Sequence, residues 1–235
     1  MDSSAVKAIA ELARPSTVVV NDRTYSTVPL TGIAEPSASP LEFHSLQGFA
    51  DYICGGLDKI AKPEIAIHVE SPASVRLIAP VSGSFRRRES MALAVPPKIE
   101  FPFGSFLEQE RFIIALQSLF VLTKARDEVI LLASIITGEE IQTQTDTGLT
   151  QEVVIKSGQA LKNRASLPNP VTLAPFRTFR EVAQPESAFI LRARKGHVSA
   201  ELALFEADGG AWQLAAMTNV AEWLRAKLQG CQVLA

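Results

Sequence analysis

Between Ser187 and Glu206 apolar and polar residues alternate on both sides of a short break, and this stretch restricts the fold more than any other. Alternation of period two puts every second side chain on one face of a strand. A two-residue turn at Lys195-Gly196 pairs Arg194 with His197, Ala193 with Val198, Arg192 with Ser199, Leu191 with Ala200 and Phe189 with Leu202. In that register Phe189, Leu191, Ala193, Val198, Ala200 and Leu202 share one face, while Arg192, Arg194, His197, Ser199 and Glu201 share the other. The first face requires a core to pack on. The second projects two arginines from a supported sheet.

The rest of the chain supplies helices and further hairpins. Val6, Ile9, Ala10 and Ala13 recur at helical spacing before Pro15, and Asn21-Asp22 separates Val18–Val20 from Thr24–Val28 as a hairpin turn. A proline-rich connector follows to Pro40. Ser45 caps a helix to about Ile60; Ile65, Ile67 and Val69 form a strand answered by Val75 and Leu77, with His68 opposite Arg76. Residues 84–95 suggest another strand.

Ser105 through Glu108 has capping-box spacing and opens a helix through Phe120, and Asp127 caps a second whose Val129–Ile136 run, apolar almost all round, belongs at the centre of the core. Glu139–Thr145 and Thr150–Lys156 are strand-like, 157–175 is a proline-rich connection, and a last helix covers about Ala215–Leu228. The expected fold is α+β, mixed helices and antiparallel hairpins around one core. Residues 1–40 form an N-terminal helix, hairpin and connector, and 41–235 the main domain.

At 235 residues and 47% hydrophobic, the chain has the composition of a globular protein. A net charge of −2 argues against coating nucleic acid along its whole surface, so any basic function is local. Cys54 and Cys231 share no metal-type spacing and imply no disulfide framework, which fits a reducing cytoplasm. No signal peptide is read in residues 1–14, and the apolar runs are too short to span a bilayer, so no membrane partner is expected.

Catalytic signatures are weak. Asp146-Thr147-Gly148 matches the short aspartic-protease motif, but Ile141-Gln142-Thr143-Gln144-Thr145 is not the apolar strand that leads into it, and a turn is favoured. His44, His68 and His197 fall on three separate elements without metal spacing. Glu206 and Asp208 offer carboxylates for a hydrolase, yet Asp208-Gly209-Gly210 also suits a turn. Gly104-Ser105 suits a helix cap better than an anion site. No nucleophile elbow, dinucleotide fingerprint or phosphate loop occurs, and no cofactor or metal is expected.

The arginine-rich region is more informative. From Lys156 to His197 there are eight Lys/Arg against Glu181 and Glu186, a net +6 that leaves −8 for the remainder. Arg177, Arg180, Arg192 and Arg194 are the candidate ligand-binding residues, since planar guanidinium groups hold phosphates well. Phe176 and Phe179, interleaved with Arg177 and Arg180, offer base stacking. The competing reading is a solvated face whose arginines pair with Glu181, Glu186 or Glu201 while the phenylalanines join the core. Arg86-Arg87-Arg88 suits an exposed loop.

Thr145-Asp146-Thr147-Gly148-Leu149-Thr150-Gln151, Pro175-Phe176-Arg177-Thr178-Phe179-Arg180-Glu181, Gln184-Pro185-Glu186-Ser187 and Phe205 through Trp212 resemble the YfdQ-like prophage proteins of unknown function. The N-terminal helix and the Phe43-His44-Ser45-Leu46 to Tyr52-Ile53 segment are similar too, so the resemblance spans most of the chain. It implies a phage or prophage origin and action in the bacterial cytoplasm, and carries over no catalytic residues. The expectation is a non-enzymatic phage accessory protein, a homo-oligomer, binding a nucleic acid or nucleotide through its arginine-rich hairpin. Two alternatives stand beside it: a self-assembling structural or interaction protein that engages a host or phage protein, with antagonism of host defence as one such role, and a carboxylate-dependent hydrolase using Asp146, Glu206 or Asp208.

Overall fold

A computed structural model describes residues 3–12, 14, 16–21, 23–26, 36–82, 86–136, 152–157, 161–197 and 199–235. The chain divides into two compact units, 1–38 with 82–87, and 39–81 with 88–235. The smaller unit holds α1 (Ser3–Leu12) and the antiparallel pair β1 (Thr17–Val20) and β2 (Arg23–Ser26), with Asn21 in the turn at φ 50°. Ser82 bridges Arg87, whose guanidinium donates to Ser37 Oγ at 3.0 Å.

The larger unit begins with β3 (Leu41–Phe43) and α2 (Leu46–Gly55). Ser45 Oγ accepts from the Gly48 amide, so the expected cap is present; α2 stops at Gly55 rather than near Ile60, because Gly56 turns left-handed at φ 71°. Next come β4 (Ala66–Ser71), β5 (Ser74–Ile78) and β6 (Ser90–Ala94), with His68 opposite Arg76 as expected. The short β7 (Leu107–Glu108) precedes α3 (Gln109–Leu119) and α4 (Lys124–Ile135). After them run β8 (Glu152–Ser157), β9 (Leu161–Ser166), β10 (Val171–Leu173), β11 (Ser187–Lys195), β12 (Ala200–Glu206), α5 (Ala211–Lys227) and β13 (Gln232–Leu234).

Two main sheets form. One has the order β13-β4-β5-β6-β3, antiparallel inside but parallel at both outer pairs; the other has the order β10-β11-β12-β7 and is antiparallel throughout. β8 and β9 pair with each other. The α+β class therefore holds, with parallel pairs that hairpins alone do not produce. The single core does not: the buried apolar residues fall into two clusters. In the first, Phe49 and Ile53 of α2 and Val220 and Leu224 of α5 pack with Ile67, Val75 and Leu77. In the second, Phe112 and Leu116 of α3 and Val129 and Ala133 of α4 pack with Phe189, Leu191, Leu202 and Leu204. Each sheet has one apolar face and its own pair of helices, so the core divides along the sheets.

Several expectations change for tertiary reasons. Ser105 does not cap α3. Leu107 and Glu108 instead pair with Leu202 and Glu201, and Gly104 N donates to Leu204 O at 2.8 Å, so the chain enters the sheet before it coils. Thr123, not Asp127, caps α4 by accepting from Arg126 N at 3.2 Å. The Val129–Ile136 run is not buried all round: Val129, Ala133 and Ile136 face the core, but Leu131 lies on the outer side, 65% exposed. The 157–175 connection contains β9 and β10. Asp146-Thr147-Gly148 and Glu139–Thr145 lie outside the described residues.

The β11–β12 hairpin spans Ser187–Glu206 as expected, but in a different register. Lys195 pairs with Ala200, Arg194 with Glu201, Ala193 with Leu202 and Leu191 with Leu204, so the loop is 196–199 rather than a two-residue turn. An even displacement leaves each residue on its face. Phe189, Leu191, Ala193, Ala200 and Leu202 are accordingly buried together, opposite Arg192, Arg194 and Glu201. Asn169 finishes the free side of β11 at Leu191, accepting from its amide at 2.7 Å and donating to its carbonyl at 3.3 Å.

Gly196 tightens the loop: its amide donates to Ser199 O at 3.0 Å, and a Cβ there would sit 2.4 Å from that oxygen and 2.9 Å from Glu201 Cγ. Backbone cannot yield as a side-chain tip can. Gly196→Ala should therefore cost about 1–3 kcal/mol, the usual range for overpacking, read as a lowered urea midpoint with unchanged slope; an unchanged midpoint would mean the loop has room.

Candidate ligand cleft

The segment 174–187 passes between the two cores and is pinned at several points. Phe179 is fully buried in the first cluster, and Thr178 Oγ1 donates to Pro72 O in the β4–β5 turn. Gln184 organises the bend: its Oε1 accepts from the amides of Arg177 and Thr178 at 3.1 and 3.3 Å, and its Nε2 donates to Phe179 O at 2.8 Å. With Phe179 held inward, Arg177 and Arg180 both reach one cleft.

That cleft encloses about 700 Å3. Phe101, Phe103, Phe176 and Trp212 supply aromatic walls, Pro96-Pro97 an apolar rim, and Lys98, Arg177, Arg180, Glu100 and Glu206 the charge. Concave, mostly apolar sites of this size with a few polar groups are the usual form of small-ligand sites.

The two arginines differ. The Arg177 side chain is only 8% exposed. Its Nη1 donates to Glu206 Oε1 at 2.5 Å, its Nη2 donates to Ser187 Oγ, and the guanidinium carbon lies 3.9 Å from the Trp212 ring centroid, 5.6 Å from Phe189 and 5.8 Å from Phe103. Burial lowers the Arg177 pKa from its ordinary value, while the Glu206 and Asp208 carboxylates act the other way. Its buried Nε has no hydrogen-bond partner among the described residues. Arg180 is exposed and lies over the Phe176 ring, 3.7 Å from its centroid; no described carboxylate pairs with it. It is thus an oriented cation whose donors remain available.

Asp208 belongs to a turn, as its glycines suggested. Its Oδ1 accepts from Gly210 N at 3.1 Å and its Oδ2 from Trp212 N at 3.4 Å, which positions Trp212 at the start of α5. Burial pushes the Asp208 carboxyl up, but the Ser187 hydroxyl, the two amides and Arg177 outweigh it and hold it below the usual carboxylate range. Glu206 is therefore held through Oε1 by an ion pair, and Asp208 is taken up by a turn.

Arg192 and Arg194 are not on this cleft. They lie along the polar face of β11, where Arg194 Nε binds Glu201 Oε2 at 2.7 Å and the guanidinium sits 4.1 Å from the Phe106 centroid. The four proposed arginines thus separate into two places. The phenylalanines separate as well, Phe179 into the core and Phe176 onto the cleft. Sequence reasoning missed Lys98, Phe101 and Phe103 as residues sharing the cleft with Arg177, because only the tertiary fold joins 95–103 to 176–180.

Comparison with family models, curated proteins and solved structures returns no match. Elsewhere, His44 Nδ1 meets Val95 O at 3.1 Å, His68 lies 3.9 Å from Glu70, and His197 is exposed in the 196–199 loop. No group of three or more His, Cys, Asp or Glu is placed to hold a metal among the described residues. No described helix is long and apolar enough to cross a membrane.

Proposed function

We propose that this chain is a non-enzymatic binding protein for a phosphate-bearing ligand, a nucleotide or a nucleic-acid segment, seated in the aromatic cleft. The observation that carries the reading is Arg180, a cation stacked on Phe176 with no described carboxylate partner, on the same cleft as Phe101, Phe103 and Trp212. A phosphate answers the guanidinium, and a planar base answers the aromatic walls. Lys98, tied to Glu100 at 3.2 Å but mostly exposed, adds a second cation. The phosphate contact rests on Arg180, since Arg177 is already engaged by Glu206 and Ser187 and Arg194 by Glu201. The YfdQ-like resemblance is the ground for placing the protein among phage or prophage accessory factors.

Arg180→Glu tests the reading with little risk to folding, because the side chain is exposed. Isothermal titration with a panel of nucleoside monophosphates and a short single-stranded oligonucleotide should show affinity falling at least about tenfold in the variant, as expected for loss of a charge-assisted contact. Preference for the oligonucleotide would assign the cleft to a strand end. Equal affinity of wild type and variant, or no binding by either, would overturn the proposal.

A further inference from the structure

We propose that Glu206, clamped by Arg177, makes the cleft selective for a guanine base. This rests on the nucleotide reading above and adds the identity of the base. The Glu206 side chain is 43% exposed and lines the cleft, whereas Arg177 behind it is 8% exposed. The clamp fixes one carboxylate oxygen: Arg177 Nη1 holds Oε1 at 2.5 Å, and the guanidinium is itself held by Ser187 and by Trp212, 3.9 Å from its ring centroid. Glu206 Oε2 accepts from no described residue. Each carboxylate oxygen has two acceptor sites, so the bond from Arg177 does not exhaust Oε1.

An ionised carboxylate can only accept. It therefore sorts bases by the donors they place side by side. Guanine presents N1–H and N2–H2 as adjacent donors on one edge, matching the two oxygens of a carboxylate. Adenine and cytosine place a ring nitrogen acceptor beside their single amino group, and uracil flanks its N3–H with two carbonyl oxygens. In each of those cases a lone pair would face Glu206, which a buried or half-buried anion disfavours. The aromatic walls accept any base through its π-face, so they contribute affinity without choosing. The choice falls to Glu206, with Arg180 positioned on the same cleft for the phosphate.

The test varies the ligand on the intact wild-type chain, so that it does not depend on a variant folding. Isothermal titration is run with guanosine, inosine, adenosine, cytidine and uridine monophosphates. Guanosine monophosphate should bind tightest. Inosine monophosphate, which keeps N1–H but lacks the 2-amino group, should bind about tenfold more weakly, and the other three weaker still, in line with discrimination by a site built around a ligand donor. In Glu206→Gln the guanine preference should shrink to within about threefold, since the amide replaces one acceptor with a donor. Equal binding of all five, or a preference for another base, would overturn the guanine proposal and leave the nucleotide reading standing. If none binds, both fall.

Discussion

Phe189→Ala is expected to lower unfolding free energy by about 3–5 kcal/mol, the range for a buried aromatic truncated in place, and the melting midpoint by roughly 10 °C for a chain of this size. The ring is completely buried. It stacks on Phe103 at 5.2 Å with planes 11° apart and meets Phe120 edge-on at 6.4 Å, so its removal leaves a cavity beside two rings that are already packed on each other and on Phe101. Chemical denaturation with an unchanged slope would report the loss directly. A change below about 1 kcal/mol would mean that this face of the hairpin is not the core it is taken to be.

Arg177→Met carries the second large effect, about 2–3 kcal/mol, together with loss of the cleft's charge pattern. Breaking a fully buried pair costs more, about 3–5 kcal/mol; here Glu206 is 43% exposed and regains water, which reduces the figure. What is lost is the stacking on Trp212 and the bond to Ser187 as well as the ion pair. Arg177→Lys should not restore stability, because an ammonium cannot span Glu206 and Ser187 while lying flat on an indole. A double-mutant cycle with Glu206→Ala should return a coupling of about 1–2 kcal/mol, whereas strict additivity would show that the two side chains act independently.

How much of this was readable beforehand depended on the range of the interaction involved. The hairpin faces were legible because alternation has a period of two. The register was wrong by an even number, so Arg192 and Arg194 still stood opposite Phe189 and Leu191. Ser45 was legible as a cap, since a cap is decided within four residues. Ser105 was not, because the competing partner was a strand about a hundred residues away, with Leu202 taking Leu107. The same distance hid the cleft. Arg177 and Arg180 stood out as cations beside aromatics, but nothing local joins them to Phe101 or Phe103, and nothing local says that Phe179 turns inward while Phe176 stays at the mouth. Val129–Ile136 misled for the opposite reason: apolar content was taken for burial, although a helix lying on a sheet buries only one stripe, and Leu131 lies outside it.

Asn169 has a wider consequence. By answering both the amide and the carbonyl of Leu191, its carboxamide imitates the peptide group of a neighbouring strand at the point where β10 has already ended. A foreign strand arriving at Leu191 would find its two hydrogen-bonding sites taken. One side chain thus acts as a guard against edge-to-edge aggregation at this position, where natural sheets often use a charge or a proline.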